Sequence, residues 1–587
     1  MPMHPALQVP EIVRMICYCG AGKDNFHLAI TCQDLFHIAI PVAWEKVKGV
    51  VQLIKLIRNV VVDREKDMLE DFMITTIEFS GPPKEENLER WYMYAPFVRQ
   101  LEIFEDDSPY FYMPTFPALL SYARKKALLP NLTKLVLNAR EPQVLNYLFW
   151  VNVLGSSSLR DLQASYHSKL LPIISNERES SVMQAIVEHC PNLTTLGFFS
   201  YPCSETIENE YDKVFIRYPH PMQNFLPKAS TLTNLIGSIS FLLPQSLDSL
   251  GRLPNLERLE IHYPPNSTRE DINRLGRGTL HPTAFPRLKK LALWNLIQHG
   301  ADLIWDLQPL VHKLEVVEIN FNPHPRRQQN EWALRKLLPT ICERSPGITG
   351  LLLDFDGDSQ EGIGTPHICN VDDAVFNAVA RLPLTRLEIM HARLAGPDTT
   401  FKLTRTWPKL EILRWTAQHV KVEELQEFAI FLPRLKHLAV EVNMLPLPED
   451  VDMTHIANIK RWEMRTLESG LHKFSDLAGN DAARIYWYLS VMWPNVRLET
   501  RSSRLDALPG GKLDLFCVNV VNHMEPLVLD MQSVVGLPPD NFSKGIYDYA
   551  VQNYVRVMWD AGCKLMRPQL EKINAPWRML PAEALSA

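Results

Sequence analysis

One nine-residue phrase returns along the chain and limits what it can fold into. It reads LPNLTKLVL at 129–137, CPNLTTLGF at 190–198, LPNLERLEI at 253–261 and FPRLKKLAL at 285–293. It comes back as SPGITGLLL at 345–353, WPKLEILRW at 407–415 and LPRLKHLAV at 432–440. Looser copies sit at Ile74, Val98, Leu159, Leu232, Leu314, Leu384 and Ile459. Successive copies from Leu132 onward lie 24 to 39 residues apart. In LERLEI the side chains of Leu259 and Ile261 fall on one side of a strand, and those of Arg258 and Glu260 on the other. The proline ahead of the core cannot continue a helix, so it marks the turn from helix to strand. The residues between cores supply the helix, as in KVEELQEFAIFLP at 421–433, where Leu425, Phe428 and Leu432 share a face.

That period and the L-x-x-L-x-L core are the signature of leucine-rich repeats. A single unit cannot bury its apolar face, whereas a stack buries a continuous core. The expected fold is therefore an α/β solenoid with long, irregular repeats over residues 49–503. Strand alternation puts Arg258, Glu260, Lys290, Arg386, Glu388, Arg414, His437 and Arg461 on its concave face. Solenoids present such faces to partners, and arginine is favoured at binding hot spots. Those eight residues are the candidate target-binding set.

Before residue 48 the pattern is all-helical. Leu7, Val9, Ile12, Val13 and Ile16 lie at nearly helical spacing, with Pro10 in the first turn, and Phe26, Leu28, Ile30, Leu35, Phe36, Ile38 and Ala39 continue it downstream. CGAGKD, residues 19–24, reads as a turn, with Gly20 or Gly22 ending one helix and Asp24 capping the next. Gly22-Lys23 is not a phosphate loop. That motif needs glycine at 17 and a hydroxyl at 24, and the chain has Cys17 and Asp24. A segment this short is too small to bury all its apolar side chains, so it is expected to bury some against another protein.

Residues 6–47 resemble an F-box, in the form found in fungal F-box proteins with leucine-rich repeats. The family's opening LP-E-[IL] is matched by Val9, Pro10, Glu11 and Ile12, with valine in place of leucine. Its mid-helix leucine and cysteine are approximated by Leu28 and Cys32 around Ile30, and its terminal aromatic by Trp44. KDNF stands where the family has aspartate-leucine. The resemblance implies an F-box-like module over 1–48 that docks on a Skp-type adaptor, and through it on a cullin scaffold carrying the ubiquitin machinery. Val9, Pro10, Ile12, Ile16, Leu28, Cys32 and Trp44 would form or support that contact. The chain would then be the substrate receptor of a ubiquitin ligase, with no catalytic residues of its own. A repeat scaffold with no ubiquitin role shares every repeat feature and differs in what the first 48 residues touch.

Other chemistry is thin. Net charge is −6, which argues against a general nucleic-acid surface. No uncharged apolar run reaches membrane-spanning length. The nine cysteines are irregularly spaced without a CxxC, which suggests reduced thiols and a cytoplasmic or nuclear setting. DFDGDSQEG at 354–362 looks like a calcium loop, but position six is Ser359 and position twelve is Thr365, where glycine and glutamate are needed. No zinc pair or serine elbow occurs, and Cys190 beside His189 reads as a small buried residue at a helix end. No cofactor or metal is expected. After WPNVRLET at 493–500 the phrase fades, and residues 504–587 read as an extension with a helix at 543–562, expected to cap the open end of the repeats.

Overall fold

The computed structural model describes residues 7–501, apart from 8, 21, 67–72, 82–83, 105–109, 114–116, 138–143, 165–175, 200–224, 264–271, 273–277, 322–329, 356–367, 444–462, 471–487, 490–491 and 494. The boundary turn at 504–513, the C-terminal extension, its helix at 543–562, the acidic loop beyond Phe355 and the repeat copy at Ile459 lie outside the described residues. The chain divides into two compact units, Met1–Gln329 with Glu343–Gly347, and Asn330–Cys342 with Ile348–Ala587.

The first unit opens with three helices, α1 (Pro10–Cys19), α2 (Gly22–Ala29) and α3 (Gln33–Ala43). Pro10 occupies the first helical turn, where its missing N–H costs nothing. Gly20 caps α1, donating to the carbonyls of Ile16 and Cys17. Two details differ from the sequence expectation. Asp24 falls inside the first turn of α2 rather than ahead of it, because α2 already begins at Gly22. The apolar run from Phe26 to Ala39 is two helices, broken at Ile30–Cys32.

The strands then follow: β1 (Lys46–Lys48), β2 (Val60–Lys66), β3 (Met73–Phe79), β4 (Gln100–Glu102), β5 (Tyr110–Tyr112), β6 (Lys134–Leu137), β7 (Asp161–Ala164), β8 (Thr195–Phe198), β9 (Asn234–Ser238), β10 (Arg258–His262), β11 (Lys290–Leu296) and β12 (Val316–Phe321). The main sheet of this unit runs β1-β4-β6-β7-β8-β9-β10-β11-β12, every neighbouring pair parallel. The second unit holds β13 (Gly350–Asp354), β14 (Cys369–Val371), β15 (Arg386–Met390), β16 (Ala392–Leu394), β17 (Ile412–Lys421), β18 (His437–Asn443), β19 (Thr466–Gly470) and β20 (Arg497–Arg501). Its main sheet runs β13-β15-β17-β18-β19-β20, again parallel throughout. Among the described residues, helices or 3-10 turns lie between most successive strands of the two main sheets, as parallel pairing requires. This is a leucine-rich-repeat α/β architecture, with a copy of the phrase leading into each main-sheet strand from β4 to β18.

The spine is a column of sealed side chains. Leu135, Leu162, Leu196, Leu235, Leu259, Leu291 and Val317 occupy one register position across the first sheet, and all are buried. Leu351, Leu387, Leu413, Leu438 and Leu467 do the same in the second. All seven prolines of the phrase fall in turns just before their strands. At most strand starts, two successive amides donate to one carbonyl of the preceding repeat. Thr133 and Lys134 share the carbonyl of Arg99, and Glu257 and Arg258 share that of Thr233. The phrase asparagines add a second tie. Asn131, Asn192 and Asn255 donate from Nδ2 to the carbonyls of Pro96, Ser157 and Ser230, at 2.8–2.9 Å.

One repeat assignment changes. Ile74 belongs to a side sheet, β2-β3-β5, in which β2 and β3 pair antiparallel. Only six residues separate these two strands, too few for a parallel crossover. WPNVRLET, after which the phrase fades in the sequence, supplies the start of β20, which pairs in register with β19. The described strand that follows β18 is β19, which begins at Thr466 and carries Glu468 as its outward carboxylate. Arg461 lies outside the described residues, and Glu463 is exposed ahead of the strand.

Candidate protein-binding surfaces

The N-terminal helices pack around Val13, Cys17, Ala29, Leu35, Ala39 and Ile40. Asn25 is buried among them and donates from Nδ2 to the Cys17 carbonyl at 2.8 Å, tying α2 to the end of α1. The cluster extends onto the first repeat through Tyr94 and Phe97, and Trp44 stacks on Tyr94 with centroids 4.9 Å apart. β1 falls inside the first 48 residues, so the helices run directly into the repeat sheet.

What this packing leaves outside includes large apolar side chains among charged ones such as Glu11, Arg14, Lys23 and Asp24. Val9, Met15, Ile16, Tyr18, Phe26 and Ile30 are all exposed, with Met15, Tyr18 and Ile30 at 60%, 63% and 64%. Single exposed apolar residues are ordinary, but a concentration of large ones on adjoining helices marks an interaction surface. Of the residues expected at an adaptor contact, Val9, Pro10, Ile16 and Cys32 are exposed, and Ile12, Leu28 and Trp44 are half-buried. Leu28 and Trp44 pack against the helical core, so they support this surface from behind. Met15 and Tyr18 were not singled out from the sequence, and Phe26 was named there only as part of the apolar pattern. Their signal is apolar identity at positions off the buried stripe of α1 and α2.

The open faces of the two sheets carry charge, and the charges hold one another. In the first unit Arg258 Nη2 donates to Glu260 Oε2 at 2.6 Å and lies 4.0 Å from Glu318. Lys290 Nζ donates to Glu318 at 2.7 Å, and His262 Nε2 meets Glu260 Oε1 at 2.8 Å. Glu260, Ala292 and Glu318 share a register row. In the second unit Arg386 Nε donates to Glu388 at 2.6 Å, and Arg414 reaches Glu388 at 3.3 Å and Glu468 at 3.1 Å. His437 stands 3.4 Å from Glu468. Glu388, Arg414, Ala439 and Glu468 share one row, so Arg414 passes over a buried alanine to the carboxylate two strands away.

The open-face expectation is corrected at Glu260 and Glu388. Both are buried, at 8% and 4% exposure, because their neighbours fold over and pair with them. Arg258, Lys290, Arg386, Arg414 and His437 are half-buried partners in these networks rather than free contacts. Burial pushes the Glu260 carboxyl up, but His262 and Arg258 outweigh it and hold it below the ordinary carboxylate value. His437 and, after burial is offset, Arg414 hold Glu468 down in the same way. Sequence reading left out Glu468 and His262. The repeated RLEI at 258–261 and 386–389 was the available signal for the i, i+2 arginine–glutamate pair.

Other candidates are quiet. Lys23 is exposed in the first turn of α2. Asp354 pairs with His391 at 3.0 Å. Cys190 is buried, and burial pushes its thiol up to about 12, which leaves it a poor nucleophile. Cys17, Cys19, Cys32, Cys190 and Cys342 are free thiols, and Cys369 Sγ accepts from Asn330 Nδ2 at 3.1 Å. Among the described residues no group of His, Cys, Asp and Glu is arranged to hold a metal ion, and no helix is long and apolar enough to cross a membrane.

No family model matches the chain, and no curated protein matches it. Among solved structures the chain is similar to the leucine-rich repeat-containing protein LegL7 from Legionella pneumophila. The identity is 9% over 69% of this chain and 94% of that one, with a TM-score of 0.22. The repeat assignment therefore stands on the parallel ladders and the leucine spine described above.

Proposed function

We propose that this chain is the substrate-recognition subunit of a Skp–cullin–F-box ubiquitin ligase, docking on the adaptor through α1–α3 and holding a target protein on its repeats. The carrying observation is the run of six exposed apolar side chains between Val9 and Ile30, on the segment whose sequence resembles an F-box. The leucine-rich-repeat fold supports the second half of the reading, because such arrays serve widely as protein-binding scaffolds. In this role the chain makes and breaks no bonds. It raises the local concentration of a target near a conjugating enzyme. Free thiols fit a cytoplasmic or nuclear setting.

Co-purification with a Skp-type adaptor tests the docking role. Deleting residues 1–48 is expected to abolish recovery of the adaptor. That deletion also uncovers Tyr94 and Phe97, so Met15→Glu with Ile16→Glu provides the cleaner arm: both side chains are exposed, and the repeats should stay folded. Unchanged adaptor recovery with the double variant overturns the reading and leaves a repeat scaffold without a ubiquitin role.

A further inference from the structure

On the second unit's open face Arg386, Arg414 and His437 are taken up by Glu388 and Glu468. At the edge where its strands begin, cations are left open. Residues 368–443, which supply this edge from β15 to β18, are described without a break. Phe401 and Arg405 stand four apart on the helix Thr399–Thr406, so they share a face. The Arg405 guanidinium carbon lies 3.9 Å from the Phe401 ring centre and 4.2 Å from that of Phe431, on the helix Leu425–Phe431. Rings hold a guanidinium by its flat faces, which orients it and leaves its N–H edge for an acceptor. Lys409 and Arg434 follow in turns, each three residues ahead of Ile412 and His437, which pair across β17 and β18. They therefore hold matching places on adjacent repeats. Arg405, Lys409 and Arg434 are all exposed, and Phe401 is 46% exposed. Among the described residues none of these three cations has a carboxylate partner, although Lys402 is held by Asp373 and Lys436 by Glu411, each at 2.6 Å.

We infer that Arg405, Lys409 and Arg434 form a docking edge for an acidic, extended segment of a protein target, with a carboxylate on the Arg405 fork and an aliphatic side chain against Phe401. Charge complementarity and spacing select this occupant. The planar fork matches the two oxygens of one carboxylate. Alternate residues of an extended segment lie about 7 Å apart, so successive carboxylates can meet cations spread over two adjacent repeats. A phosphate is held best by cations converging on one point. A nucleic acid needs a broad basic field, which a chain of net charge −6 does not supply. Phe401 adds apolar area beside the charge, as in a binding hot spot built around arginine and an aromatic ring. The inference rests on the reading that the repeats hold a protein target, and it moves the charged contact from the self-paired open face to the strand-start edge. It does not depend on adaptor docking.

The test is fluorescence anisotropy with the full chain and a dye-labelled peptide, Ser-Leu-Glu-Leu-Glu-Leu-Glu-Ser. Comparison probes are the same peptide with glutamine for glutamate, the same peptide with phosphoserine for glutamate, and single-stranded oligothymidylate. Saturable binding of the glutamate peptide is expected, with the glutamine peptide weaker by about tenfold or more. Arg405→Ala should weaken the glutamate peptide about tenfold. Arg405→Lys should restore only a small part, since an ammonium keeps the charge and loses the fork. Lys409→Ala with Arg434→Ala should weaken binding by a similar factor. Thermal melts matching the parent chain establish that the variants are folded, and if Arg405→Ala melts early the Lys409→Ala, Arg434→Ala variant decides by the same comparison. Parent-like binding by these alanine variants, full recovery with Arg405→Lys, no saturable binding of the glutamate peptide, or tighter binding of the phosphoserine peptide or of oligothymidylate each overturns the inference. Loss of adaptor recovery in the separate docking test leaves these outcomes unchanged.

Discussion

Leu259 and Ile30 are both large aliphatic residues in the first unit, yet Leu259 is fully sealed and Ile30 is 64% exposed. The contrast extends to their regions. Each repeat strand gives its leucines a neighbour on either side, so every added repeat closes the apolar surface of the last. Among the described residues, the three short helices meet the repeats through Tyr94 and Phe97. Their inner stripe is buried, and what lies off it faces outward. Apolar side chains in the array therefore report on stability, and those on α1 and α2 report on association.

The largest effect belongs to the spine. Leu259→Ala or Leu291→Ala should cost about 2–5 kcal/mol, since each empties a site sealed on both sides. Thermal melts followed by circular dichroism read this directly. Parent-like melting of both variants would remove the distinction, because spine and surface residues would then behave alike.

That spine was legible in the sequence because a period of two within the phrase and a period of 24 to 39 between phrases admit few folds. The helical start was legible for a similar reason, down to Pro10 and Gly20. What escaped was set by pairing that composition and alternation do not state. Ile74 scored as a repeat on composition, while strand direction depended on the short separation of β2 and β3. Glu260 and Glu388 read as outward residues by alternation, which is correct for direction and silent on burial. Their burial comes from Arg258, Arg386 and Arg414 folding over the sheet, which alternation alone does not encode. The asparagine ties were written in the recurring PNL, at Asn131, Asn192 and Asn255, but their carbonyl partners lie 25 to 35 residues earlier.

An intermediate effect is expected at the charged clusters. Glu260→Gln removes the carboxylate that Arg258 and His262 share and should cost about 1–3 kcal/mol, as for a buried hydrogen bond to a charged group. The sign of the pH dependence follows from the direction of the shift. Glu260 and Glu468 are both held below the ordinary carboxylate value of 4.5, so their contribution is complete above that pH. It is lost as pH falls through their lowered folded-state values. Acid melts of the parent should steepen below about pH 4.5, and Glu260→Gln should flatten part of that slope. An unchanged slope would mean that the carboxylate is solvated and that the open face resembles ordinary surface.

The smallest effect on stability should come from the surface that matters most for association. Phe26→Glu with Ile30→Glu replaces two exposed side chains on α2 and the turn after it, away from the buried stripe of Asn25 and Ala29. Surface changes of this kind usually stay within about 0.5 kcal/mol each, so melting should be nearly that of the parent. Adaptor recovery should nonetheless fall to background, because two carboxylates would have to be desolvated against an apolar partner surface. Leu259→Ala supplies the opposite pattern, with weakened melting and adaptor recovery retained at temperatures where the chain is still folded. If Phe26→Glu with Ile30→Glu instead melts as Leu259→Ala does, the exposed helices are part of the repeat core's stability, and the division between sealing and docking fails at its own boundary.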